Sequence, residues 1–410
     1  MPFQDRVEFS RVGAARRCLI GRWLRWLGIV VGIAVLAAPT GVAAAAPLRT
    51  ADKEEIKRLV RALGPGTGLI VTDSAGRTLL EVRASQRRTL GSLTKLFTTS
   101  AALLSLRTPP RTTVELTAPV LPDGTLDGDV VLRGEGDAGL GDAGLLRLRD
   151  AVIAAGVRRL TGRVVGDGSL FDAWLGGPAT NGAFDAEFDG AVGALLYKHG
   201  RATPRGPFQR DPAAAAASRF DDLLEAGGVV LPLAPGSGAR TAARPLGEVR
   251  GDLPTLLKDA NTSSSAVTAE VLGKLLAARR GNAPATSAAA AHAVTDVVRS
   301  RLGVRPVLRD SAGFVARSQA SPRDVARLLR RMDRRTAFAR SLARAGNGTL
   351  KGRGVPAGCR AKTGTLRTAR ATGLAGICRG RVFAVLTVGV STARARRAQD
   401  RISQVLVRRG

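Results

Sequence analysis

Leu90-Gly91-Ser92-Leu93-Thr94-Lys95-Leu96-Phe97 is the stretch on which the reading of this chain turns. A serine stands three residues before a lysine, among small and apolar neighbours. Positions three apart on a helix are adjacent, so a helix opening here puts Ser92 and Lys95 on one face. An amine held against a hydroxyl can take its proton and turn it into a nucleophile. In the first turn of a helix, that serine also lies near the positive end of the helix dipole and its free N–H groups. Such chemistry needs no histidine. The chain has two histidines, His199 and His292, one in Tyr-Lys-His-Gly and one in an alanine run, so a Ser-His-Asp triad is disfavoured.

Composition narrows the class further. The chain has 410 residues, 44% of them hydrophobic, which allows more than one domain and a sizeable core. Its formal net charge is +30, and only eight of its 63 basic residues are lysine. A surface of that sign attracts anionic polymers such as a cell wall or a membrane face. Nucleic acid is not expected, because zinc-finger spacing, an arginine-rich low-complexity tail and an aromatic-basic stacking strip are all missing from the sequence. No His or carboxylate cluster has metal-ligand spacing, so neither a metal nor another cofactor is expected. Residues 1–46 read as an export signal, with Arg16, Arg17, Arg22 and Arg25 before an apolar run and Ala43-Ala44-Ala45-Ala46 offering small cleavage positions. Cleavage would release the protein into the periplasm or the extracellular wall space, and retention would leave it anchored to the membrane.

Working outward from Ser92, residues 52–63 pattern as an amphipathic helix. Residues 68–73 and 78–82 form two strands of a hairpin around Ser74-Ala75-Gly76-Arg77. The helix carrying Lys95 runs to Leu106, where Pro109-Pro110 ends it. From residue 112 the character changes to glycine-rich turns, a strand at Val130-Val131-Leu132, a helix over 141–155, a strand over 161–167 and a helix over 211–227. This block, 112–244, reads as a domain inserted between the halves of another, 47–111 and 245–410. In the second half, helices are expected at 253–258, 266–279, 287–302 with Ser287 as its cap, 321–332 and 337–343. The polar run Asp259-Ala260-Asn261-Thr262-Ser263-Ser264-Ser265 between the first two is expected to be a loop. Ala361-Lys362-Thr363-Gly364-Thr365 then lies on one strand, residues 372–378 and 382–389 form two more, and residues 395–408 close the chain as a helix. The fold class is α/β, with an antiparallel meander flanked by helices.

Each motif alone is weak, but their order is specific. A Ser-x-x-Lys opening a helix after a hairpin, a serine-rich helix-capping loop and a Lys-Thr-Gly on a late strand follow the layout of penicillin-binding proteins and serine β-lactamases. The mature chain resembles the low-molecular-mass, class C penicillin-binding D-alanyl-D-alanine carboxypeptidases and endopeptidases that carry an inserted domain. The resemblance rests on Arg87-Arg88-Thr89-Leu90-Gly91-Ser92-Leu93-Thr94-Lys95-Leu96, on Gly128-Asp129-Val130-Val131-Leu132-Arg133-Gly134-Glu135-Gly136-Asp137, on Gly156-Val157-Arg158-Arg159-Leu160-Thr161-Gly162 and on Arg360-Ala361-Lys362-Thr363-Gly364-Thr365-Leu366. It implies a transpeptidase-like fold and a serine acyl-transferase acting on peptidoglycan stem peptides, with β-lactams as covalent inhibitors. It also implies Ser92 as nucleophile, Lys95 as base kept neutral by burial and cationic neighbours, and Ser264 as a further catalytic hydroxyl. Lys362 and Thr363 would bind the substrate carboxylate, Gly364 would let the substrate backbone pass, and the N–H groups of Ser92 and Thr365 would form an oxyanion hole.

Two places depart from the family pattern. The family's Ser-x-Asn falls on Ser264-Ser265-Ala266, so the asparagine has become Ala266; a shifted register would instead offer Asn261. Its Asp-Gly-Ser-Gly-Leu-Ser turn has become Asp310-Ser311-Ala312-Gly313-Phe314-Val315. Losing one well-placed hydrogen bond costs about 1–3 kcal/mol, so the alternative to an active enzyme is a degenerate relative that binds peptidoglycan or a partner without efficient turnover. Finally, Cys359 and Cys378 flank Lys362-Thr363-Gly364. A hairpin centred between Thr368 and Ala369 would set them opposite each other, and a disulfide is expected in an exported protein.

Overall fold

The computed structural model describes residues 47–408 except 186, 202–206 and 243. The export segment read at 1–46 lies outside the described residues. Among those residues, no helix is long and apolar enough to cross a membrane.

The helices are α1 (Thr50–Ala62), α2 (Thr94–Ser105), α3 (Asp142–Ala154), α4 (Pro212–Ala226), α5 (Leu253–Lys258), α6 (Ala266–Ala278), α7 (Ser287–Leu302), α8 (Pro322–Met332), α9 (Thr336–Ser341) and α10 (Thr392–Leu406). The strands of the two larger sheets are β1 (Thr67–Thr72), β2 (Thr78–Val82), β3 (Arg111–Leu116), β4 (Val130–Glu135), β5 (Val164–Asp167), β6 (Gly236–Ser237), β7 (Arg244–Arg250), β8 (Ala343–Arg344), β9 (Cys359–Leu366), β10 (Ala371–Cys378) and β11 (Arg381–Val388).

An antiparallel six-stranded sheet has the order β8-β9-β10-β11-β1-β2. Its central strands are rich in Val, Ile, Leu and Ala because helices cover both faces. Alternation along a strand sends Leu69, Val71, Phe383 and Val385 into one core with Ile56 of α1 and Ile402 of α10. It sends Ile70, Ala384 and Leu386 into the other core, with Phe97 of α2 and Val325 and Leu329 of α8. The β9–β10 register pairs Cys359 with Cys378 and Lys362 with Ala375, and a disulfide joins the two cysteines.

The second sheet has the order β7-β3-β4-β5-β6, antiparallel through β4 and then parallel. Leu145 and Leu148 of α3 and Phe220 and Leu224 of α4 fill its core against Val114 and Leu132. The chain enters this sheet on β3 and leaves it on the adjacent β7, a strand that the sequence pattern did not reveal. Part of the same block serves the first core instead: Ala138, Phe171, Phe188 and Val192 pack among the residues of α2, α6 and α7.

Three local details differ from the sequence reading. Ser92 precedes the α-helix, in a 3₁₀ turn over Gly91–Leu93. The run expected as a loop makes a π-helical turn over Asp259–Ser263 that continues from α5; it buries Ala260, Asn261 and Thr262, and the polar two are hydrogen-bonded to Thr99 and to Ser341. The cap of α7 is Thr286, one residue before the expected Ser287, and its side chain accepts from the Ala289 N–H.

Candidate active site

The 3₁₀ turn and the first turn of α2 present Ser92 and Lys95 together. Lys95 Nζ lies 3.2 Å from Ser92 Oγ and donates to the Ala312 carbonyl at 2.7 Å. Lys95 is fully buried. Burial penalises its charged form and lowers its pKa from 10.5 to about 8, against the opposing pull of Asp189, Asp310 and Glu270. The neighbours that act on it most are therefore anionic, not cationic as the resemblance had suggested, and burial outweighs them. The face of Phe314 covers the ammonium at 5.6 Å and is itself stacked on Phe188 at 4.7 Å.

Close backbone approach fixes this turn against β9. A Cβ on Gly364 would come within 2.4 Å of the Leu90 carbonyl oxygen, and one on Gly91 within 3.0 Å of the Thr365 backbone. Gly91 also holds a φ of +52° that other residues rarely adopt. Gly364 is thus required by the serine turn itself, a different reason from the substrate passage read from sequence.

On the other wall, Ser264 follows the π-helical turn with φ +68° and ψ +29°, a left-handed conformation that costs a non-glycine residue about 1 kcal/mol or more. Its Oγ accepts from Lys362 Nζ at 2.8 Å, and Lys362 also donates to the Thr363 carbonyl at 2.9 Å. Lys362 is fully buried, and burial together with the Lys95 charge pushes its pKa well down. Its ammonium lies behind Ser264, out of solvent. Ser92, Ser264, Thr363 and Thr365 line one cleft of about 420 Å³ with Lys351 and Arg396.

The structure therefore brings Ser92, Lys95, Ser264, Lys362, Thr363, Gly364 and Thr365 into one place from three separated stretches. Asn261, which a shifted register offered, is turned to other partners: its buried amide donates to Thr99 Oγ1 at 3.1 Å and to Ser341 Oγ at 2.8 Å. Ala266 is the first residue of α6, capped by Ser265. The Ala266 and Val267 N–H groups donate to Asp189 Oδ1 at 2.9 and 3.1 Å. That places a carboxylate at this wall, held ionised chiefly by Ser265 and the helix N–H groups against the cost of its burial. The sequence reading missed Asp189, a lone aspartate in Phe-Asp-Gly with no motif around it. It also missed the buried acids behind Lys95. Asp310 accepts from the Gly313 N–H at 2.8 Å and from Ser318 Oγ at 2.7 Å, which knots the altered turn so that Ala312 offers its carbonyl to Lys95. Glu270 accepts from the Ser311 N–H at 3.0 Å, and burial beside Asp310 raises its pKa to about 7.

Comparison with known proteins gives a consistent picture. The solved structures that resemble this one include penicillin binding protein 4 from Haemophilus influenzae, with 19% identity and a TM-score of 0.68 over 86% of this chain and 99% of that one. The same Haemophilus protein complexed with a novel β-lactam matches at 19% identity and 0.66, over 85% and 98%. The Bd0816 predatory endopeptidase of Bdellovibrio bacteriovorus matches at 16% identity and 0.52, over 83% and 92%. At such identities the likeness is one of fold, that of the penicillin-binding proteins. No curated protein matches the chain by sequence. The model of the D-Ala-D-Ala carboxypeptidase 3 (S13) family matches residues 55–183 and 192–409, a span that takes in Ser92, Lys95, Ser264 and Lys362 and leaves Asp189 in the gap. The chain belongs to the S13 family of D-Ala-D-Ala carboxypeptidases.

Proposed function

We propose that this protein is an exported serine-type D-Ala-D-Ala carboxypeptidase or endopeptidase that works on peptidoglycan stem peptides through an acyl-Ser92 intermediate and is acylated by β-lactams. One observation carries the reading: a buried lysine with its pKa lowered to about 8 stands 3.2 Å from a serine hydroxyl that opens onto a cleft. The neutral amine of Lys95 takes the Ser92 proton as Oγ bonds to the penultimate D-alanine carbonyl carbon. Charge then develops on the carbonyl oxygen, toward the backbone N–H groups of Ser92 and Thr365. Collapse breaks the peptide bond, and the proton that Lys95 took passes through Ser264, which Lys362 holds in place, to the departing D-alanine nitrogen, leaving Lys95 neutral. Water then attacks the ester, giving its proton to Lys95, which returns it to Ser92 Oγ as the ester C–O bond breaks and the shortened peptide leaves. The block read from the sequence at 112–244 acts as an inserted unit, its C-terminal bound extended to Arg250 because the strand at 244–250 pairs with that at 111–116.

Ala266 favours a second reading, a wall binder without efficient turnover. Incubation with a fluorescent penicillin separates the two. Covalent labelling of the wild type that disappears in Ser92→Ala supports the acylating enzyme, and an unlabelled wild type leaves the binder.

A further inference from the structure

The cleft needs a cation for the carboxylate that follows the scissile bond, and Lys362 is badly placed to be it. Its ammonium is fully buried and already spent on Ser264 and the Thr363 carbonyl. Alternation along β9 turns Thr363 and Thr365 away from Lys362. On their side stands Arg396 of α10, whose guanidinium Nη2 reaches Thr365 Oγ1 at 3.4 Å. Among the described residues, no carboxylate lies within ion-pair distance of Arg396. Asp400, the acid one turn along the same helix, is held by Arg353 at 2.6 Å and by the Gly354 N–H at 3.0 Å. The other groups acting on Arg396 are Arg353 and Arg367, both cations, and an arriving anion would relieve that repulsion. A second observation points into the same cleft: Thr349 Oγ1 is buried there without a hydrogen-bond partner.

We propose that Arg396 is the specificity-determining cation of this cleft, holding together with Thr365 the free carboxylate of the residue on the leaving side of the scissile bond. This rests on the function proposed above. The ligands it selects are acylated D-amino-acid peptides with a free C-terminal carboxylate, and β-lactams through their ring carboxylate. Lys362 then acts through Ser264, while Arg396 touches substrate.

The test separates this assignment from turnover. Acetyl-D-Ala-D-Ala, as free acid and as C-terminal amide, is titrated calorimetrically into Ser92→Ala protein, with and without Arg396→Gln or Arg396→Lys. One partly exposed charge-assisted contact corresponds to about tenfold in affinity, so the acid should bind about tenfold tighter than the amide. Arg396→Gln should reduce that ratio to about twofold or less, and Arg396→Lys should keep part of it. Arg396 is exposed, so these variants leave the core untouched. An acid-to-amide ratio unchanged by Arg396→Gln, or no preference for the acid at the outset, overturns the assignment. Penicillin labelling of protein with Ser92 intact is read separately: its absence refutes acyl transfer and leaves the carboxylate preference standing or falling on the titration alone.

Discussion

The acylation rate should follow the deprotonation of Lys95, and the structure sets both the midpoint and what moves it. With the pKa lowered to about 8 by burial, roughly one lysine in ten is neutral at pH 7 and one in a hundred at pH 6. Second-order acylation by a fluorescent penicillin should therefore climb by up to about tenfold per pH unit below about 8 and level off above it. Glu270 softens the climb. Its own pKa is raised to about 7 by burial beside Asp310, so it gains charge in the same range and draws the lysine back toward its protonated form. Asp189 is the foremost of the anions that favour the charged lysine. Asp189→Asn removes that charge while keeping an oxygen for the Ala266 and Val267 N–H groups, so the cap survives. The midpoint should fall by about half a pH unit, roughly tripling acylation at pH 7. Quenched labelling time courses between about pH 6 and 9.5 read this directly. A flat profile, or a midpoint that stays put or rises in Asp189→Asn, would refute the argument that a buried, anion-opposed Lys95 is the base.

Three further outcomes follow from the same geometry. Ser264→Ala strips buried Lys362 of one of its two acceptors and breaks the relay to the leaving group, so labelling should slow by about ten- to a hundredfold, with a stability loss of about 1–3 kcal/mol in denaturant titration. Gly364→Ala drives a methyl within 2.4 Å of the Leu90 carbonyl oxygen; it should abolish labelling and lower stability by about 1–3 kcal/mol in denaturant titration, and a fully active variant would show that the turn tolerates displacement. Cys359→Ala with Cys378→Ala opens a loop of 19 residues' separation, which should cost about 3 kcal/mol. Mass spectrometry of the exported protein should show two more hydrogens after reduction, and free thiols before reduction would contradict the pairing.

Much of this site could be read from sequence because its parts are local and periodic. Ser92 and Lys95 are linked by helical spacing, Lys362-Thr363-Gly364 by a strand, and Cys359 and Cys378 by the symmetry of one hairpin, whose register the structure reproduces. What escaped has no local signature. Strand β7 is defined by its partner β3, more than a hundred residues earlier. Asp189 acquires meaning only because Phe188, buried beside Phe314, carries it to the start of α6. Arg396 is one arginine among many on the outer face of α10 until that helix, packed on β10 and β11, brings it to Thr365 of β9. The block whose patterning changes at residue 112 contributes a core of its own around the second sheet, yet its Phe171 and Val192 pack in the other core, since burial depends on what the rest of the chain brings near.

If the Ser-x-Asn register read from the sequence holds, the alanine at 266 does not stand alone. Ala266 is buried, and its N–H is taken by Asp189. An asparagine side chain placed there enters a wall that already holds a carboxylate, and a buried polar group left without its own partner costs about 1–3 kcal/mol. Ala266→Asn alone should thus leave acylation unchanged or slower. Asp189→Ala alone lowers the Lys95 pKa but leaves the α6 N–H groups without their acceptor. Combined, the asparagine amide can face Lys95 without the competing charge, and the double variant should acylate faster than the sum of the single effects by at least about tenfold, which is 1.4 kcal/mol of coupling. Labelling rates for the four proteins at one pH measure that coupling. Strictly additive effects would mean that residues 189 and 266 do not share a role, leaving Asp189 its cap of α6 and its separate pull on Lys95.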